Sequence, residues 1–303
     1  MLNQNTLSRL KSEIAGQVRL DEPMSAHTSF HIGGPADALV IPADLDDVRK
    51  ILRIAREEQT PLTVIGNGSN LLVRDKGIRG IVLKLGNALK RWEQDGATFV
   101  FDSGVSLAQC CRIIGEAGYT GMEFAVGIPG SLGGAVFMNA GAYDGEMKDT
   151  VVSVQVMTRT GEIKTLDRND LDFSYRHSEL QNSDSIVLTV TLRVNKGDKA
   201  AILAKMDDFS QRRISKQPLD IPSAGSTFKR PEGRFVGQMV EQSGLKGFRI
   251  GGAEVSVKHA GFIVNADHAT AADVLQLIEY IRNKILEDYN VALVPEVLVL
   301  GEE

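Results

Sequence analysis

Gly127-Ile128-Pro129-Gly130-Ser131-Leu132-Gly133-Gly134-Ala135-Val136-Phe137-Met138-Asn139-Ala140-Gly141-Ala142-Tyr143 decides how this chain is read. It gathers glycines at 127, 130, 133, 134 and 141 around Pro129, with no charged side chain. Glycine turns the backbone through positive φ and lets a ligand approach with no Cβ in the way, yet each interior glycine is about 0.5–1 kcal/mol worse than alanine. So many in one place suggest a ligand. Ser131 to Asn139 is expected to start a helix whose first N–H groups face whatever the glycines admit, a seat for phosphate. A glycine-rich turn that packs two elements closely is the plainer alternative, and this stretch alone leaves both open.

Sixty residues upstream, Pro61-Leu62-Thr63-Val64-Ile65 reads as a buried strand running into Gly66-Asn67-Gly68-Ser69-Asn70. Successive backbone N–H groups with short polar side chains are the makings of an anion nest. The loop lacks the Gly-Lys-Ser/Thr of a P-loop, and Leu71 stands where a dinucleotide fingerprint needs its third glycine. Two nests of uncommon type suggest one extended diphosphate ligand held from two sides.

A chain of 303 residues predicts two or three domains. A formal charge of −5 argues against a general nucleic-acid binder. The first sixteen residues lack a signal peptide's apolar core, and no apolar run is long enough for a membrane helix. A cytoplasmic location is expected. Cys110 and Cys111 are adjacent, which suits neither a structural disulfide nor zinc. They are expected in a helix from Ser106 to Gly118, one buried and one grazing the surface, and no metal site is expected.

Strand and helix signals alternate along the chain. Strands are expected at 38–41, 61–65, 81–85, 98–101, 151–159, 162–166, 186–194, 261–264 and 291–300. Asp44 caps a helix through Gln59 with Val48, Ile51, Leu52 and Ala55 on one face. A helix from Lys199 to about Ile214 leads to a C-terminal domain. There a short helix is expected near Phe235 to Gln242, and a long one starts at a Thr270–Asp273 capping box. A first boundary is placed near 86–97, giving segments 1–95, 96–212 and 213–303.

Three further segments carry chemistry. In Val294-Pro295-Glu296-Val297, Glu296 interrupts an apolar run, where an ionised carboxylate needs a partner or a proton. Tyr175-Arg176 places a planar guanidinium fork, suited to a carboxylate, beside an aromatic. In Ala224-Gly225-Ser226-Thr227-Phe228-Lys229-Arg230, glycine leaves room around Ser226, and no nucleophile elbow surrounds it. The serine reads as a proton donor or hydrogen-bonder. Each has a bland counterpart: an edge-strand carboxylate, a surface arginine, an ordinary serine. Lys205, Arg212, Arg213, Lys216, Lys229, Arg230 and Arg234 form a basic cluster, an ordinary solvated face or a seat for a diphosphate. His31 beside Phe30 reads as a satisfied histidine more than a flavin attachment point.

Taken in order, Asn67-Gly68-Ser69-Asn70, the run 127–143, Phe173-Ser174-Tyr175-Arg176, Ala224-Gly225-Ser226 with Phe228, and Pro295-Glu296-Val297 resemble one family, the UDP-N-acetylenolpyruvoylglucosamine reductases. The resemblance runs from about residue 25 to the end. It implies an α+β chain: a vanillyl-alcohol-oxidase-type FAD-binding fold of two α+β subdomains, then an α/β substrate-binding domain. It implies non-covalent FAD held by Gly66, Asn67, Gly68, Ser69, Asn70, Gly127, Pro129, Gly130, Ser131, Gly133 and Gly134, with Asn139, Gly141 and Ala142 near the flavin. Arg176, Ser226 and Glu296 take the catalytic roles; Tyr175, Lys216 and Arg230 contact substrate. The implied reaction uses NADPH to reduce UDP-N-acetylglucosamine enolpyruvate in peptidoglycan synthesis, by a monomer or weak oligomer without membrane or nucleic-acid partners. Only Gln181 to Ser185 follows the Tyr-Arg motif, which fits the shorter subtype lacking an extra tyrosine loop, and Arg230 replaces an asparagine found in other members. An FAD-dependent sugar or alcohol oxidase and a non-catalytic nucleotide-sugar or flavin-binding module are the alternatives.

Overall fold

The structure is a computed structural model describing residues 2–86 and 89–303. Residues 87 and 88, within the expected first boundary, lie outside the described residues. The chain divides into two units, one of residues 1–20, 38–67 and 80–213, the other of 21–37, 68–79 and 214–303. The segments 21–37 and 68–79 therefore group with the C-terminal residues and not with their neighbours in sequence.

The first unit has two cores. One gathers Leu10, Val40, Val48, Ile51, Leu52, Ile81 and Leu83. The helix Leu45–Glu57 supplies its apolar stripe, and Asp44 caps it by accepting the Asp47 N–H at 3.0 Å. Asp47 itself is buried and accepts the backbone N–H groups of Ala15, Gly16 and Ala43 at 3.0, 2.8 and 2.9 Å. Burial pushes its carboxyl up, but those three donors outweigh burial and hold it below the usual value. Strand Leu62–Ile65 pairs in parallel with Ile78–Lys84 and delivers the chain to Gly66.

The second core lies against an antiparallel sheet ordered Ile163–Asp167, Val151–Met157, Ile186–Arg193, Thr98–Asp102, Trp92–Asp95. The first core draws on residues between 10 and 89 together with Met157, Ile186 and Leu188, and the second on residues from 99 to 206. The cysteine helix forms as Leu107–Glu116 with Ser106 as its cap. Here the expectation needs correction: Cys110 and Cys111 are both buried. Ile202 and Met206 pack against Gly115 and extend cover around the helix. Burial pushes the Cys110 thiol up to about 12 and the Cys111 thiol well above its usual value, so neither is a reactive thiolate.

The second unit packs one core around the sheet Ser223–Ser226, Phe262–Asn265, Ala253–Val255, Arg249–Ile250. The helix Ala271–Tyr289 covers it with Val274, Leu277, Ile278, Ile281 and Ile285. Its capping box forms: the Thr270 hydroxyl accepts the Asp273 N–H at 3.1 Å and Asp273 accepts the Thr270 N–H at 2.9 Å. The long terminal strand does not. Only Leu298–Leu300 is strand, parallel to Leu71–Val73. Pro295 has no N–H for a ladder, and Glu296 sits in the extended approach to that strand.

Candidate active site

In the first unit the two glycine segments meet. A Cβ on Gly66 would stand 2.5 Å from the Ser131 hydroxyl, so the strand end can pass the helix start only as glycine. A Cβ on Gly127 would stand 2.7 Å from Arg213 Cδ, and one on Gly133 would stand 2.8 Å from Ser103 Cβ. The helix starts at Ser131 as expected, but it is short, Leu132–Phe137. Its first donors are taken: Leu132 N–H donates to Val105 O at 2.8 Å, Gly133 N–H to Ser103 O at 2.9 Å, Gly134 N–H to Ser131 Oγ at 3.4 Å. The expected free N–H groups are therefore not those of the first turn.

Other donors are unused. Among the described residues the buried Ser103 hydroxyl and Arg213 Nε have no hydrogen-bond partner. Burial pulls the Arg213 guanidinium below its usual value, with Tyr143 acting in the opposite sense. A half-buried guanidinium whose buried Nε lacks an acceptor is costly, and a phosphate supplies the missing acceptor. The bare glycine cradle with orphan donors beside it fits a diphosphate cofactor. Sequence reading placed Arg213 only within a basic cluster and missed Ser103, because neither position stands in a motif.

At the far end of the run, Gly141–Ala142 and Gly145–Glu146 form a tight hairpin. Its two turn residues, Tyr143 and Asp144, have φ of 50° and 64°, the pattern of a type I′ turn. Tyr143 stacks on Phe209 at 4.2 Å between centroids. Asn139 is fully buried and its amide is fully engaged. Nδ2 donates to Glu146 Oε2 at 2.9 Å and to Ser174 O at 2.8 Å, and Oδ1 accepts the Lys148 N–H at 3.0 Å. Arg176 is half-buried; its Nη2 donates to Gly141 O at 2.9 Å and its Cζ stands 4.8 Å from the exposed Tyr175 ring.

In the second unit Gly68, with φ 69°, accepts the Ser29 N–H on its carbonyl at 3.2 Å, and the Ser29 hydroxyl donates to Ser223 O at 2.7 Å, with Ser69 O at 3.3 Å. Asn70 reaches further: its Nδ2 donates to Glu296 O at 3.0 Å and its carbonyl accepts the Leu298 N–H at 2.9 Å. Glu296 N–H in turn donates to Thr227 O at 2.8 Å, and Lys229 N–H to Val294 O at 2.8 Å. Ser226 and Glu296, seventy residues apart in sequence, are thereby brought to adjacent backbone positions.

The strand that carries Ser226 shifts register between Ser223 and Ser226 against its partner. Gly225 sits in that irregularity at φ 79°, and nothing stands within 4 Å of where its Cβ would be. Ser226 is exposed as a result. Arg230 lies over the Phe235 ring at 3.9 Å and donates from Nε to Arg234 O at 3.3 Å. Lys216 is exposed at the end of helix Lys199–Lys216, His31 is exposed with φ 54°, and Asn67 is exposed as well. No cluster of three or more metal-ligating side chains occurs among the described residues, and no described helix is long and apolar enough to cross a membrane.

Two family models match: "FAD binding domain" over residues 36–167 and "UDP-N-acetylenolpyruvoylglucosamine reductase, C-terminal domain" over 217–300. The chain is 48% identical over 287 residues to a UDP-N-acetylenolpyruvoylglucosamine reductase of Pediococcus pentosaceus, covering 95% of each. It is 50% identical over 281 residues to one of Lactobacillus delbrueckii subsp. bulgaricus, covering 93% of this chain and 94% of that one. Among solved structures it resembles the enzyme of the same name from Thermus caldophilus, at 32% identity and a TM-score of 0.78, over 95% of this chain and all of that one.

Proposed function

The chain belongs to the UDP-N-acetylenolpyruvoylglucosamine reductase family, and on that premise we propose that it reduces UDP-N-acetylglucosamine enolpyruvate to UDP-N-acetylmuramate, with FAD as cofactor and NADPH as electron source. The observation that carries the reading is the Glu296 N–H bonded to Thr227 O, which sets the carboxylate residue beside the residue that follows an exposed serine. The reaction serves peptidoglycan synthesis in the cytoplasm, and a monomer or weak oligomer suffices for it.

Gly66, Gly127, Ser131 and Gly133 form the cradle for the cofactor's diphosphate, with Ser103 and Arg213 as donors. Held there, FAD would supply the two-electron chemistry that links the nicotinamide to the methylene carbon of the enol ether, as a hydride. The chain's own groups handle the charge that follows. Negative charge grows on the neighbouring carbon and its carboxylate, where the Arg176 fork stabilises it. Ser226 delivers the proton to that carbon, so the double bond is consumed by one hydride and one proton. A hydroxyl is a weak acid, but a carbanion-like centre within hydrogen-bond reach is basic enough to take its proton. Glu296 assists as a hydrogen-bonded or protonated carboxyl, since a bare carboxylate would oppose the developing charge. Tyr175, Lys216 and Arg230 contact the nucleotide sugar.

Anaerobic assay of the FAD-loaded protein tests this. One NADPH consumed per enolpyruvyl nucleotide, with a product heavier by two hydrogens, is the expected result. Consumption of oxygen with a simple sugar and no change in the nucleotide would overturn it. Glu296→Gln keeps hydrogen bonding and loses acidity, so full activity in that variant would exclude proton transfer there.

A further inference from the structure

Arg176 sits in a two-residue turn closed by Ser174 and His177, each of which donates its N–H to the other's carbonyl at 3.1 Å. Its φ is 55°, a left-handed conformation that a non-glycine residue holds only when its surroundings impose it, at about 1–3 kcal/mol. Two side-chain amides impose it here. Asn139 Nδ2 donates to the carbonyl of Ser174, at one end of the turn. Gln181 Nε2 donates to the carbonyl of Arg176 itself at 3.1 Å and to Phe137 O at 2.8 Å. Both bonds tie the turn to residues 137–139 of the glycine-rich run, and the Arg176 guanidinium points back to Gly141 O.

The Asn139 amide has no spare N–H. One goes to Ser174 and the other to Glu146, whose carboxylate also pairs with Lys148 Nζ at 2.8 Å. It therefore acts on the turn and has no side-chain donor left for a cofactor. Gln181 belongs to the short stretch that follows the Tyr-Arg motif, and from there it bonds directly to the backbone of the arginine.

We propose that Asn139 and Gln181 are positioning residues, an amide clamp that fixes the Ser174–His177 turn so that the Arg176 guanidinium meets the substrate carboxylate. This rests on the reductase reading. The clamp acts through Arg176, so it matters in proportion to what Arg176 does and not to what the cofactor does.

A double-mutant cycle tests it. Gln181→Leu and Asn139→Asp are made alone and in an Arg176→Ala background, and all are loaded with FAD. Expected for Gln181→Leu are an unchanged FAD content and visible spectrum, bleaching by NADPH within about twofold of wild type, and reoxidation by the enolpyruvyl nucleotide slowed about tenfold or more. In the Arg176→Ala background the same change slows reoxidation by less than about twofold, the non-additivity of residues acting as one unit. Perturbation of the oxidised flavin spectrum on titrating the enolpyruvyl nucleotide gives a readout independent of turnover. Its midpoint is expected to rise in Gln181→Leu only when Arg176 is present. If Asn139→Asp does not fold, Gln181→Leu carries the test alone. Equal slowing in both backgrounds, or wild-type reoxidation in Gln181→Leu, would overturn the clamp. A wild type that the nucleotide cannot reoxidise would remove the reductase reading and the clamp with it.

Discussion

The cradle around Gly66 and the bulge around Gly225 both require glycine, for opposite reasons. At Gly66 space decides: Ser131 Oγ stands 2.5 Å from any Cβ, and the run beyond it has its first-turn donors and the Asn139 amide bonded to the protein's own atoms. At Gly225 there is space on every side, and the backbone decides, with φ 79° in a strand that breaks register. The first region is closed and shape-defining; the second is open and leaves a serine hydroxyl exposed. On the proposed reading the first holds the cofactor and the second reacts, both built from the same residue type. Substitutions should separate them.

The largest effect is expected at the reacting end. Ser226→Ala should lower turnover of the enolpyruvyl nucleotide by about 10²–10⁴-fold. FAD content and bleaching by NADPH should hold, measured by absorbance and stopped flow. Loss of flavin in this variant would break the comparison. Gly66→Val reverses the pattern. Overpacking against Ser131 costs about 1–3 kcal/mol, and the expected loss is in FAD retention through gel filtration, with turnover per bound flavin much less affected.

Asp47 sharpens the comparison from the stability side, because it braces the first unit and no reacting group. Its folded carboxyl lies below the 3.8 of the free side chain, so its stabilisation is complete above that value and is lost as pH falls through the folded pKa. Asp47→Asn is expected to cost about 1–3 kcal/mol at neutral pH, because an amide cannot accept all three backbone donors. It should also flatten the acid limb of a denaturation series, while the Ser226 step is unchanged per folded molecule. The smallest effect belongs to Gly225→Ala. A side chain fits there but is forced to positive φ, at about 1–2 kcal/mol. FAD content should be unchanged and turnover should fall only a few-fold, by steady-state assay.

Much of this was legible in the sequence, because local signals report local structure. Asp44 and the Thr270–Asp273 box mark helix starts through bonds three residues long, and both form. The ordered Arg176, Ser226 and Glu296 motifs were visible because each stands in a short stretch of unusual composition. What escaped is long-range. Asn70 donates to Glu296 across 226 positions, and Asn139 reaches Ser174 across 35. No periodicity records such a bond; it exists only once the topology has carried the strands together. The same holds for the cysteines, whose cover by Ile202 and Met206 comes from a helix ninety residues downstream. The expected terminal strand is too long because apolar residues run on through most of 291–297, where the backbone makes one isolated bridge, Phe228 with Pro295, and not a ladder.

One measurement bears most directly on the central claim, that a hydroxyl on an open bulge completes a reduction set up elsewhere in the chain. Wild type and Ser226→Ala are loaded with FAD, bleached with NADPH without oxygen, and mixed with the enolpyruvyl nucleotide while the flavin absorbance is followed. The yellow colour should return promptly in wild type and slowly or not at all in Ser226→Ala. Equally fast return in both, or none in wild type until air is admitted, would contradict the account.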